Sequence, residues 1–147
     1  MDNEVLHKEI DLIQACITRM ANNSFLLKGW AVSIIAVILA LADKALAPVL
    51  LSAVVLIPLF SFWYLDAFFL RTERMYRKMY EWVIEKRSTG DTTHLYDLNP
   101  QRFASTVEST RKTMWSITLR WFYGIPTFIT CTVIAFRVVK TYVEKGA

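Results

Sequence analysis

Apolar positions in this chain gather into three long stretches, Leu26 to Ala42, Leu46 to Leu70 and Trp115 to Val139. Crossing the roughly 30 Å hydrocarbon core of a bilayer takes about 20 helical residues, so the second and third are long enough and the first nearly so. Hydrocarbon offers no partner to backbone N–H and C=O groups, so such stretches must close their hydrogen bonds internally, as helices. The pattern predicts an all-α membrane protein: three transmembrane helices plus an N-terminal amphipathic helix, with helices extending into the cytoplasm.

Ahead of the first stretch, Leu6, Ile10, Ile13, Ile17 and Met20 recur at alternating steps of four and three, while Glu4, Lys8, Glu9, Asp11 and Arg19 fall off that seam. A seam of this period belongs to a helix packed on another helix, in the same chain or in an oligomer. Its acidic residues argue against lying on an anionic membrane surface. Asn22-Asn23-Ser24 interrupts the pattern and offers a cap to the next helix. The organisation read from this is 1–24 amphipathic helix, 25–70 transmembrane hairpin, 71–114 basic cytoplasmic helical segment, and 115–147 third transmembrane helix and tail.

Lys28 can snorkel from the start of the first span, with Trp30 at the same border. Asp43 to Pro48 reads as a tight outer turn, and Pro58 predicts a kink in the second span. Past Leu70 the helix should continue, with Met75, Met79, Trp82 and Val83 on one face. Ser88 to Asp91 is a turn signal, and Asn99-Pro100 starts a helix expected to run unbroken into the membrane.

Charge sets orientation. Arg71, Arg74, Arg77, Lys78, Lys86, Arg87, Arg102, Arg111 and Lys112 crowd the middle segment, against Lys44 alone in the outer turn. Cytoplasmic loops carry the Lys/Arg excess, which places the middle segment and the N-terminus inside and the C-terminus outside. Arg137, Lys140 and Lys145 in the tail pull against that. The acidic opening and the late first span argue for a retained helix, not a cleaved signal. The net charge of +4 then reports topology, although Arg71, Arg74, Arg77 and Lys78 could take an anionic ligand or lipid head groups. With 54% hydrophobic residues in a chain of 147, little is left to bury a conventional core, so a homo-oligomer is expected.

Two Cys and two His are scattered singly, so neither a disulfide nor a metal site is expected. With four glycines, no phosphate-cradling loop and no nucleophile elbow, the chain is expected not to be an enzyme and to need no cofactor.

Two constellations remain. Ser109, Thr113, Ser116, Arg120, Tyr123, Thr127 and Thr130, continued by Arg137, form a polar stripe at helical spacing. Such a stripe must face water or a helix partner. Ser116, Arg120, Tyr123, Thr127, Thr130 and Arg137 would line a pore in an oligomer, or else form a polar bundle seam. Asp66 and Arg120 lie at similar depth on antiparallel spans and would pair, as a lock or as a gate.

The run Trp63-Tyr64-Leu65-Asp66-Ala67-Phe68-Phe69-Leu70-Arg71-Thr72-Glu73-Arg74-Met75-Tyr76-Arg77 and the opening His7-Lys8-Glu9-Ile10-Asp11-Leu12-Ile13-Gln14, followed by Asn23-Ser24-Phe25, resemble small bacterial defence-associated membrane proteins. Among these they are most similar to the membrane effectors of Hailong antiphage systems. The resemblance covers most of the chain, but its motifs are not functionally diagnostic. It implies an oligomeric channel for inorganic ions in the bacterial inner membrane, partnered with a nucleotidyltransferase whose nucleic-acid product restrains it until infection. Opening would depolarise the membrane and stop the cell. The residues alone lead to a small oligomeric membrane bundle, with a sensor or scaffold for a cytosolic partner, or a transporter's accessory subunit, as other readings.

Overall fold

The computed structural model describes residues 3–42 and 48–146. The outer turn expected at Asp43 to Pro48 lies, but for Pro48, outside the described residues. Helix α1 spans Asn3–Ala42, α2 Pro48–Val54, α3 Leu56–Ser88, α4 Thr110–Met114 and α5 Ile117–Gly146, with one 3₁₀ turn at Pro100–Phe103. Among the described residues every regular element is helical.

The architecture is built on an antiparallel hairpin of α1 and α3. At about 1.5 Å per residue, α1 is roughly 60 Å long, twice what a bilayer core needs. One half of the hairpin is closed by the predicted seam: Ile13 and Cys16 are buried against Tyr76, Met79 and Val83, with Leu6, Ile17 and Met20 packed alongside. The other half holds a second core, in which Ala31 of α1 meets Leu59, Trp63 and Ala67 of α3 and Leu119 and Tyr123 of α5.

Three boundaries bear on the sequence reading. First, Asn22-Asn23-Ser24 does not interrupt anything, and α1 runs through it as one helix. The Ser24 hydroxyl is not a cap, because it is bound to Asp66 of α3 instead. Second, the hydrogen-bond ladder of the second apolar stretch lapses for one residue at Val55, whose backbone stays helical at φ −57° and ψ −32°, in keeping with the kink expected from Pro58. Pro58 has no N–H for the Val54 carbonyl and its ring crowds that carbonyl, so the ladder stops one turn upstream. It resumes with the Leu59 amide on the Val55 carbonyl at 3.3 Å.

Third, the helix expected from Pro100 onward is divided. Asn99 caps the 3₁₀ turn through the Gln101 amide at 3.0 Å, and Ser109 caps α4 through the Lys112 amide at 3.4 Å. A further break at Trp115 and Ser116 separates α4 from α5. Side chains of α3 take the carbonyls these breaks expose. Arg71 donates to Ala104 and Glu108 at 3.1 and 3.0 Å, and the Trp63 indole N–H donates to Met114 at 2.9 Å.

Two described helices are long and apolar enough to cross a membrane, α1 over Asn3–Ile38 and α5 over Ile117–Val143. Only 11% of the apolar window of each is buried within the chain, whereas the core helix of a soluble protein is mostly covered. Phe25, Trp30, Phe128 and Phe136 stand 62–76% exposed along them. Apolar surface on this scale calls for a partner outside the fold, lipid or another chain.

Candidate functional site

The site grows from one carboxylate. Asp66 lies in the apolar part of α3 and is fully buried. A carboxylate so placed is tolerable only if cation and hydrogen-bond donors surround it. Lys28 of α1 brings its ammonium to 2.6 Å from Asp66 Oδ2. Ser24, one turn before Lys28, donates its hydroxyl to Oδ1. Tyr123 of α5 donates its hydroxyl to Oδ2 at 3.1 Å. Lys28 also reaches Ser24 Oγ at 2.8 Å, which closes the network.

Helical geometry makes this possible. Ser24 and Lys28 stand four apart, so both face α3. The antiparallel register of the hairpin then sets them at the depth of Asp66. Tyr123 is held by stacking on Trp63, ring centroids 6.0 Å apart, and by an edge contact with Phe122 at 4.9 Å. The Lys28 side chain keeps 22% exposure, and its ammonium also lies 6.0 Å from the Phe122 ring centre. Four polar groups from three helices thus converge, with one positive and one negative charge.

Asp66 therefore does not pair with Arg120. Arg120 is exposed on the outer face of α5, its guanidinium 5.7 Å from the centre of the Trp121 ring. The cause is the phase of α5 itself. At about 100° per residue Leu119 and Thr130 fall close to Tyr123 on the inward side, whereas Arg120 lies at the edge of that stripe, and Leu119 holds the inward position, buried to 1%. Lys28 was placed at the border by its long stem alone. The signal for its real role was the Ser24/Lys28 spacing opposite a lone membrane acid.

The rest of the stripe turns into its own bundle. Thr113 and Tyr123 are fully buried and Thr130 is 6% exposed, while Ser116, Thr127 and Arg137 are half-buried. Thr127 donates back to the Tyr123 carbonyl at 2.7 Å. In this structure the stripe is a seam between α5 and the α2 and α3 helices, the usual place for Ser and Thr between membrane helices.

The four basic residues of the cluster each have a local partner. Arg71 binds the two carbonyls already described, Arg74 meets Glu108 at 3.4 Å, Arg77 meets Glu73 at 2.7 Å, and Lys78 meets Glu81 at 2.7 Å. Arg77 and Lys78 remain exposed and Arg74 is half-buried, so these surface pairs are weakly held.

Sequence reasoning missed a second buried ion pair. Arg87, at the end of α3, grips Glu9 of α1 through two bonds of 2.9 Å, with side-chain exposures of 0% and 2%. Its remaining nitrogen takes the Asp91 and Thr93 carbonyls at 2.6 and 3.1 Å, and Glu9 also accepts the Tyr96 amide at 3.1 Å. The loop this organises carries His94 and Tyr96 at φ of 59° and 58°. Glu9 sits beside the predicted seam, but only the register of the hairpin reveals its partner. In the same region the Thr93 hydroxyl and amide hold the Asp91 carboxyl below its ordinary range. The Asn99 amide does the same for Asp97, and Lys112 for Glu108.

No family model, curated protein or solved structure matches this chain. Geometry alone defines the class: an all-helical chain with two helices of membrane length and a charged network sealed where three helices meet.

Proposed function

We propose that the protein is a gated pore of the bacterial inner membrane, built from several copies of the chain, and that the Lys28–Asp66 network is its latch. In this reading the second apolar stretch also crosses the bilayer, giving three spans, a cytoplasmic N-terminus and an external C-terminus. The carrying observation is the fully buried Asp66, bound at once by α1 and α5. Charged groups at membrane depth are costly and mark pathways or switches more often than plain scaffolding. The polar seam of Tyr123, Thr127 and Thr130 on α5, which packs against α2 and α3, is buried or half-buried here. Parting α5 from α3 would give that seam to water between subunits. The resemblance to Hailong membrane effectors extends the proposal to antiphage defence by depolarisation, with a nucleotidyltransferase product as the restraint.

Planar-bilayer recording tests it. Purified wild-type protein should give discrete currents, Asp66→Asn should raise open probability, and Thr130→Leu should abolish current with insertion intact. Silence from wild type and Asp66→Asn, in vesicles shown to contain the protein, overturns the pore. A second reading, a membrane sensor or scaffold for a cytosolic partner, is favoured by the ordered Glu9–Arg87 module outside the apolar region. That silence would leave it standing.

A further inference from the structure

We infer that the outer face of α5 carries a binding site for an anionic phospholipid, with the phosphate on Arg120 and an acyl chain in the hollow below it. The inference needs α5 to sit in a membrane but does not need a pore. A shallow groove of about 470 Å³ is lined by Arg120, Trp121, Gly124, Ile125 and Phe128. Gly124 forms its floor: a Cβ there would meet nothing within 4 Å, so the missing side chain leaves open space between Trp121 and Phe128. Its lining is apolar except at the Arg120 end.

Arg120 differs from the arginines of α3. Arg71 is held by two backbone carbonyls and Arg74, Arg77 and Arg87 each hold a carboxylate, whereas Arg120 has no acidic partner among the described residues. Its guanidinium is steadied from one side by the Trp121 ring and leaves its donors open. A planar guanidinium matches phosphate oxygens with two parallel bonds. Depth agrees, since Trp115, Trp121 and Trp30 are all well exposed around this level, as aromatics at a head-group border are. One cation beside an apolar slot on a lipid-facing helix is complementary to an amphiphile with an anionic head. Free phosphate would leave the slot empty, and a zwitterionic lipid would bring its own cation to the phosphate.

The test is a thermal-shift titration of the purified full chain in neutral detergent with phosphatidylglycerol, phosphatidylcholine or inorganic phosphate. Phosphatidylglycerol should raise Tm saturably. Arg120→Gln should weaken half-saturation about tenfold, and Gly124→Leu, whose Cβ has nothing within 4 Å and whose branches would occupy the hollow, should do the same. Arg111→Gln, another basic residue outside the groove, should respond like wild type. Equal shifts from phosphatidylcholine, a shift from phosphate alone, or unchanged titration of both groove variants would overturn the site.

Discussion

At the scale of single residues, the two buried ion pairs differ in what their removal should do. Asp66 is fully buried, and Lys28→Met would leave it with hydroxyl donors and no cation. Breaking a buried pair from one side costs about 3–5 kcal/mol. Lys28→Met and Asp66→Leu should each lower Tm in detergent strongly, while the double variant recovers most of the loss. Strictly additive losses would show that the two charges do not act as a unit. Glu9→Gln attacks the other pair and loosens the 91–96 loop, so the Tyr96 amide should lose hydrogen-exchange protection while the Asp66 region keeps its own. Acid should act on the same module. The folded pKa values of Asp91, Asp97 and Glu108 are depressed, so their contribution is present above the ordinary carboxylate range and fades as pH falls through the folded values. The Thr93 and Asn99 amides, which donate to Asp91 and Asp97, should lose hydrogen-exchange protection as pH falls below about 4.

At the scale of elements, Pro58→Ala restores a donor to the Val54 carbonyl and removes the ring that crowds it. It should join the ladders of α2 and α3 and slow amide exchange at residues 54–59. Unchanged exchange there would mean that packing, not proline, sets the break. The contrast with the other boundaries shows what the sequence could carry. Steps of four and three from Leu6 to Met20 place the α1 seam correctly, and Met75, Met79 and Val83 supply its counterpart, because periodicity is a local property. The division of 100–116 is tertiary in origin. Arg71 and Trp63 reach across from α3 to take carbonyls of Ala104, Glu108 and Met114, and nothing within 100–116 announces those donors. The outward Arg120 has a simpler origin, since a stripe with steps of three and four is wide and Arg120 sits at its edge while Leu119 takes the inward place beside Tyr123. Asn22-Asn23-Ser24 misled in the opposite sense, since a cap signal was overridden by a long-range bond to Asp66.

At the scale of the whole molecule, the question is which surface meets lipid and which meets water. The inward face of α5 carries Leu119, Tyr123 and Thr130, and the outward face carries Ile125, Phe128, Phe136 and the exposed Cys131. Cys16 is buried in the hairpin seam, so Cys131 is the one free thiol on an open face among the described residues. Thiolate, not thiol, reacts with maleimides, and hydrocarbon suppresses ionisation. If the outward face meets acyl chains, a water-soluble maleimide should leave Cys131 unmodified in vesicles and modify it after unfolding in denaturant. A cysteine introduced by Thr130→Cys then separates closed from open arrangements. It should be protected in the wild-type background, where position 130 is buried, and become reactive in the Asp66→Asn background, where the latch is released. Mass spectrometry of the labelled peptides reads both positions in one sample. Reaction at Cys131 in resting vesicles would place water on the face assigned to lipid, and protection at position 130 in both backgrounds would leave the latch without a gate to release.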